Sequence, residues 1–204
     1  MSWTRPRIGA LAAAVMLLAL IARSPGLDLF PTQDEDNWLD RSSAFSSALQ
    51  HHDWRATYRS GHPGVTTMWL ATLGIGSYAQ PLASRTERLV TRVPEFMPAL
   101  ELARHAMIAF NSVLILVITL LTGRLLGWWP AALAGVLLAF EPFLVAHGQV
   151  VHLDAPVSGL MAVAILAAAN RWLSRGQAAF LGLSAVASGL AFVTKSPSAF
   201  LVIA

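Results

Sequence analysis

The apolar runs along this chain constrain its fold more than any other feature. They lie at about 8–22, 106–122, 129–146, 155–170 and 178–194. Each approaches the roughly 17–25 residues that an α-helix needs to cross the hydrocarbon layer of a membrane. The runs predict an all-α integral membrane protein, a polytopic bundle of five transmembrane helices. A further apolar run that opens at Ala199 predicts the start of a sixth.

Composition and charge exclude several classes of protein. The 204 residues are 55% hydrophobic and 12% charged, against roughly 25% charged residues in a soluble domain. This excludes intrinsic disorder and disfavours a water-soluble globule. The absence of cysteine excludes disulfides, cysteine-ligated metals and thiol nucleophiles. Thirteen arginines and one lysine give the net charge of +3, but they lie singly between apolar runs. They are typical of loop anchors, so no nucleic-acid partner is expected.

The chain reads as one module, 1–204, with a first span at 8–22, a long extracytoplasmic loop at 23–104 and further spans in 105–204. The loop holds nine of the eleven acidic residues. Within it, a capping-box pattern from Thr32 to Glu35 and the apolar spacing after it predict one helix. Val65–Tyr78 predicts a second helix, too short to span. Both are expected to lie at the membrane interface.

Charge also predicts the orientation of the chain in the membrane. With the N-terminus in the cytoplasm, the cytoplasmic pieces carry only basic residues, as short loops do under the positive-inside rule. These residues are Arg5, Arg7, Arg124, Arg171 and Arg175. The first run also fits a signal peptide, but the sequence Leu20–Arg23 is a poor cleavage site, so a retained anchor is favoured. We expect a bacterial plasma-membrane protein, and the final apolar run indicates the N-terminal part of a longer one.

The first cluster that could carry chemistry is Asp34-Glu35-Asp36. Acids in the first turn of a helix complement its macrodipole, and from the residues alone that structural interpretation is favoured. The functional alternative is a carboxylate that acts as a general base at the membrane surface.

A second cluster is the turn His147–Asp154 between two spans, with His152 beside Asp154. It could cap two helices, or it could bind a metal or a phosphate, although the spacing is a weak metal signal. His62, between glycine and proline, is typical of a turn. Lys195 is typical of a snorkelling anchor, or of a point charge for phosphate. Glu141 inside the third run needs a partner or a wet cavity.

In their order along the chain, these segments resemble the N-terminal half of a lipid-carrier-dependent glycosyltransferase of the GT-C type. The likeness is to protein O-mannosyltransferases and their aminoarabinose-transferase-like relatives. It rests on the Asp34-Glu35 pair, the stretch 62–69, a span opening near Arg104, and the segments 140–155 and 189–195. The last two segments are the most specific.

The resemblance implies transfer of a sugar, a mannose-like hexose or an aminoarabinose-like pentose, from a polyprenyl-phosphate carrier. The acceptor is a hydroxyl of a protein, lipid or glycan on the extracytoplasmic side, and configuration is inverted. Asp34 is the implied base, supported by Glu35. Lys195, His62 and Arg104 are the residues implied for the carrier phosphate. His152 and Asp154 would line the same cavity, which in some members binds a divalent metal.

Two alternatives belong to other classes of protein. A non-catalytic scaffold or carrier-lipid-binding subunit, or an inactive fragment of such an enzyme, would keep the fold and tolerate loss of the Asp34 carboxylate. A transporter or metal-handling fragment would be built around His147, His152 and Asp154, and would bind zinc or manganese without carrier lipid.

Overall fold

The computed structural model describes residues 5–59, 63–76, 93–174 and 177–202. Within these ranges the regular secondary structure is entirely helical, which confirms the predicted all-α class. The helices are α1 (Arg5–Arg23), α2 (Glu35–Gln50), α3 (Val65–Ile75), α4 (Val93–Leu126), α5 (Trp128–Phe140), α6 (Pro142–Gln149), α7 (Asp154–Trp172) and α8 (Ala179–Thr194). Short 3-10 helices lie at Arg55–Thr57 and Ser196–Val202.

The helix lengths support fewer membrane spans than the five predicted from the apolar runs. Among the described residues, one helix segment, Glu95–Leu126, is long and apolar enough to cross a membrane. A second qualifies if α5 and α6, which are bent by 58° at their junction, count as one span. With 13 residues, α5 alone is about 20 Å long at the usual rise per residue, short of the roughly 30 Å hydrocarbon core. The five-span bundle therefore stays a prediction.

The predicted run 129–146 is broken because Glu141 and the proline after it end one helix and begin another. A residue before proline avoids the helical conformation, and the Glu141 carboxylate caps α6 by accepting the Leu144 N–H at 2.7 Å. That backbone amide is the partner that Glu141 was expected to need. The buried guanidinium of Arg23 donates to the Leu138 and Ala139 carbonyls at the end of α5, at 3.0 and 2.9 Å.

The helices predicted in the first loop are both found, and they form a packed layer with the beginning of α4. Trp38 and Leu39 of α2, Met68 of α3 and Leu100 of α4 share one buried apolar cluster. Helix α4 begins at Val93, inside the segment predicted as loop up to 104. The described parts of the first loop are therefore folded onto α4 by apolar burial, which fixes where their polar side chains lie.

Two further apolar clusters lie among the other helices. Leu114 of α4 packs with Leu160 of α7 and Ala187 of α8, and Val15 of α1 packs with Ile115 of α4 and Ala139 of α5. Helix α4 thus contributes to all three clusters and joins the loop layer to the helix bundle.

At Gly74, α3 packs closely against the backbone of α4. A Cβ at this position would overlap the Leu102 carbonyl oxygen and lie 2.9 Å from Ala103 Cα. Gly74→Ala is expected to lower the free energy of unfolding by about 1–3 kcal/mol through overpacking. Gly182→Ala in α8, where nothing lies within 4 Å of the new Cβ, is the control and should be neutral or stabilising by up to about 1 kcal/mol. Thermal unfolding in detergent measures both; equal stability of the two variants would contradict this packing.

Candidate functional site

Glu35 lies at the centre of the polar contacts between the first loop and the bundle. Its side chain is fully buried, and its carboxylate accepts the Arg104 Nε–H at 2.8 Å and an Arg104 Nη2–H at 2.5 Å. It also accepts the backbone N–H groups of Val151, at 3.0 Å, and Thr32, at 2.8 Å. One carboxylate therefore joins the start of α2, the middle of α4 and the segment between α6 and α7.

Charge and hydrogen bonding together set the protonation state of Glu35, which lies outside the membrane-spanning segments. Burial raises the pKa of its carboxyl. The hydrogen bonds from Arg104, Thr32 and Val151, and the Arg104 charge, lower the pKa further than burial raises it. The pKa of Glu35 is therefore below its ordinary value, and the residue stays ionised beside Arg104.

Arg104 was predicted to bind the carrier phosphate, but the structure engages its guanidinium inside the protein. Besides Glu35, it donates to the carbonyls of Leu27, at 2.8 Å, and Phe30, at 3.2 Å. The side chain is buried. In this arrangement Arg104 holds the chain segment before α2 in place, and its contact with phosphate stays a prediction.

The predicted capping box is formed in part. The Thr32 N–H bonds back to the Glu35 carboxylate, as a capping box requires. However, the Thr32 hydroxyl also donates to Glu35, at 3.1 Å, and α2 begins at Glu35. The Glu35 carboxylate therefore holds the chain at Thr32 and accepts hydrogen bonds from Arg104 at the same time.

Asp34 takes a different position from its neighbour. Its side chain is 63% exposed and makes no capping hydrogen bond to α2. Its Oδ2 lies 3.5 Å from Nε2 of His152. The Asp34 carboxylate is thus not used to begin the helix and is open to a ligand, as a base requires.

His152, Asp154 and Lys195 continue from Asp34 as a chain of charged contacts. His152 Nδ1 lies 3.4 Å from Asp154 Oδ2, and Lys195 Nζ lies 2.5 Å from Asp154 Oδ1. The four residues come from the start of α2, the segment before α7, the start of α7 and the end of α8. The structure therefore brings together four of the predicted site residues.

Two cavities meet at Asp34 and His152, which line both. A cavity of about 500 Å³ is lined by Thr32, Gln33, Asp34, Ala146, His147, Val150, His152 and Asp154. A cavity of about 280 Å³ is lined by Asp34, Asn37, Trp38, Arg41, His152, Leu153 and Lys195. The larger cavity falls within the range of roughly 300–1,000 Å³ that small-molecule sites occupy.

Arg41 is a site residue that the sequence analysis missed. It lines the smaller cavity together with Lys195, and its guanidinium lies over the Trp38 ring, 4.8 Å from the centroid. It follows Asp34 by seven residues, two helical turns, so both residues share one face of α2. That spacing was the available signal, because the helix predicted after the Thr32–Glu35 capping box already places Arg41 on the same face as Asp34, two turns away.

The remaining predicted residues are placed as follows. His62 lies outside the residues that the structure describes. Within the described ranges, no group of three His, Asp or Glu side chains could hold a metal ion. Within those ranges His152 and Asp154 do not complete such a group, and the divalent metal stays a prediction.

In the described ranges, the fold is built from helices, and carboxylate, imidazole and ammonium groups converge at its cavities. Residues 81–204, more than half of the chain, match the family of dolichyl-phosphate-mannose-protein mannosyltransferases, to which the chain therefore belongs. This confirms the resemblance to glycosyltransferases of the GT-C type. The matched range contains Arg104, His152, Asp154 and Lys195, whereas Asp34 and Glu35 precede it. No curated protein and no solved structure matches the chain significantly.

Loss of the buried ion pair should destabilise the protein in a pH-dependent way. Glu35→Gln leaves Arg104 without its charge partner and is expected to cost about 3–5 kcal/mol of unfolding free energy. Because the pKa of Glu35 is lower in the folded chain than in the unfolded chain, the pair stabilises the fold above the unfolded pKa. That stability is lost as the pH falls through the folded pKa.

Thermal unfolding of wild type and Glu35→Gln from neutral to acidic pH measures this effect, with Glu101→Gln, an exposed position on α4, as control. The stability gap between wild type and Glu35→Gln should narrow as the pH falls. If the two proteins are equally stable at neutral pH, or if their difference in stability grows in acid, the buried ion pair of Glu35 and Arg104 is contradicted.

Proposed function

We propose that this protein transfers a sugar from a polyprenyl-phosphate carrier to an acceptor hydroxyl, with inversion at the anomeric carbon. Membership of the mannosyltransferase family supports glycosyl transfer. The observation that carries the finer assignment is the convergence of Asp34, Arg41 and Lys195 around one cavity. An acid and two cations line this cavity, as this reaction requires.

Asp34 is the general base in this proposal. Its exposed carboxylate takes the proton of the acceptor hydroxyl while the hydroxyl oxygen attacks the anomeric carbon. The bond between that carbon and the phosphate oxygen breaks, and polyprenyl phosphate leaves with the electron pair. Attack on the face opposite the leaving group inverts configuration. Glu35 takes no part in proton transfer, because Arg104 and two backbone amides occupy its carboxylate.

Lys195 and Arg41 stabilise the leaving phosphate. Fixed cations aimed at developing charge in a partly closed site lower the barrier more than they would in water. The ammonium of Lys195 is half-buried and already held by Asp154, so little reorganisation is needed when a phosphate arrives. We assign Arg104 to positioning, since its nitrogens hold Glu35 and the carbonyls before α2.

The proposal includes the membrane arrangement expected from the sequence. The module 1–204 would cross the membrane five times and begin a sixth span, with the N-terminus in the cytoplasm and the cavities on the extracytoplasmic side. The long apolar α4 supports insertion in a bilayer, and the basic short loops support the orientation. The name of the family makes mannose the first sugar to test, with a protein hydroxyl as acceptor.

Asp34→Asn tests the base assignment. Removal of a general base is expected to lower kcat by about 10²–10⁴-fold with an intact fold. To measure kcat, transfer of mannose from radiolabelled mannosyl polyprenyl phosphate is followed in membranes that contain either the wild-type protein or the variant. Asp36→Asn is the matched control. Asp36 lines neither cavity, and its carboxylate accepts the Asn37 N–H.

Wild-type turnover in folded Asp34→Asn would remove the base assignment and favour the alternative of a scaffold or carrier-lipid-binding subunit. A loss shared equally by Asp36→Asn would indicate damage to α2 rather than to a base.

Lys195→Met tests the phosphate contact. Loss of one charge-assisted hydrogen bond, of about 1.5–3 kcal/mol, predicts that kcat/KM for the donor falls roughly 10–100-fold. Lys195→Arg should retain more activity because it keeps the charge. Arg55→Gln, an exposed cation outside both cavities, should match wild type. Equal activity of Lys195→Met and Arg55→Gln would contradict a phosphate contact at Lys195.

A further inference from the structure

His152 stands between the proposed base and a charged residue that orients the imidazole. One ring nitrogen faces Asp34, and the other faces the start of α7, where both the Asp154 carboxylate and the Asp154 backbone N–H lie within 3.4 Å of Nδ1. The side chain is 24% exposed, so protein surrounds most of the ring. The imidazole is therefore held on both sides.

The contacts at Nδ1 determine what Nε2 can do. When Nδ1 of the neutral imidazole accepts the Asp154 N–H, 3.4 Å away, the ring hydrogen is on Nε2 and faces Asp34. In the imidazolium, Nδ1–H faces the Asp154 carboxylate and Nε2–H still faces Asp34. In both of these forms Nε2 carries the hydrogen that faces Asp34 Oδ2, 3.5 Å away.

Several other charged groups lie around the ring. Lys195 from the end of α8 holds the other oxygen of Asp154, so the Asp154 carboxylate cannot turn freely. Arg41 of α2 and His147 of α6 also line the cavities at which His152 lies. Glu35 is turned away toward Arg104. Asp34 is thus the carboxylate left to accept from Nε2.

We infer that His152 is a positioning residue for Asp34: Nε2–H binds Oδ2 and leaves Oδ1 for the acceptor hydroxyl. This role presupposes the glycosyl transfer proposed above, and it assigns the imidazole a task within that reaction. An exposed aspartate on a helix terminus rotates among several rotamers. A fixed donor on one oxygen restricts it to the orientation in which the other oxygen meets the incoming hydroxyl.

The role depends on a hydrogen-bond donor at the Nε2 position rather than on the volume of the ring. Gln carries an amide N–H₂ near the position of Nε2, whereas Leu fills similar space without a donor. The pair His152→Gln and His152→Leu therefore separates positioning from packing. His51→Leu is the control, because His51 is exposed at the end of α2 and bonds only the Ser47 carbonyl among the contacts described.

The experiment measures kcat and KM for mannosyl polyprenyl phosphate. Each set of membranes contains the wild-type protein, one of these three variants, or Asp34→Asn. His152→Leu is expected to lower kcat about 100-fold. The KM for mannosyl polyprenyl phosphate should stay within about threefold of wild type, because its phosphate contacts other residues. His152→Gln should recover about tenfold of the loss, the worth of one hydrogen bond. His51→Leu should match wild type.

Two results would overturn the inference while the proposed function stands: wild-type kcat in folded His152→Leu, or equal losses in His152→Leu and His152→Gln, with Asp34→Asn inactive in both cases. If Asp34→Asn itself keeps wild-type turnover, the proposed function fails first. Thermal unfolding of each variant identifies a loss of activity that comes from misfolding. If His152→Leu misfolds, the kcat of His152→Gln, which retains a hydrogen-bond donor, tests the inference.

Discussion

The buried contact between Glu35 and Arg104 is the interaction on which the rest of the site depends. An isolated buried charge would be costly, but here each charge is surrounded by partners: Glu35 by Arg104 and two backbone amides, and Arg104 by Glu35 and loop carbonyls. Because these partners belong to three separate segments, the pair fixes the first loop, α4 and the chain before α7 relative to one another. Apolar packing of α2 and α3 on α4 supports the same arrangement.

Adjacent acids therefore have different roles. The helical geometry that turns Glu35 inward leaves Asp34 at the cavities, with its carboxylate exposed and uninvolved in capping. Val151, which donates its N–H to Glu35, immediately precedes His152, which faces Asp34. Thus one buried carboxylate holds both the proposed base and the imidazole beside it. Lys195 joins from α8 through Asp154, so the polar groups of the site come from distant parts of the sequence.

The sequence predicted what depends on local pattern. Helices after Thr32 and at Val65 follow from capping and apolar spacing, and the family resemblance followed from the order of short motifs. The sequence alone could not show that Glu35 bonds Arg104, because 69 positions separate the two residues and only the fold brings them together. The early start of α4 was missed because its first turns carry acids and prolines and bury only one face. The bend at Glu141 was missed because apolar content alone does not register a helix break before proline.

In the proposed reaction, carrier phosphate binds between Lys195 and Arg41, with the sugar beside Asp34. The most direct measurement is an experimental structure of the Asp34→Asn variant, which should not turn over, in complex with mannosyl polyprenyl phosphate. We expect the phosphate oxygens within hydrogen-bond distance of Lys195 Nζ and the Arg41 guanidinium, and the anomeric carbon facing position 34. A phosphate bound away from both cations, or an anomeric carbon facing away from position 34, would contradict the account.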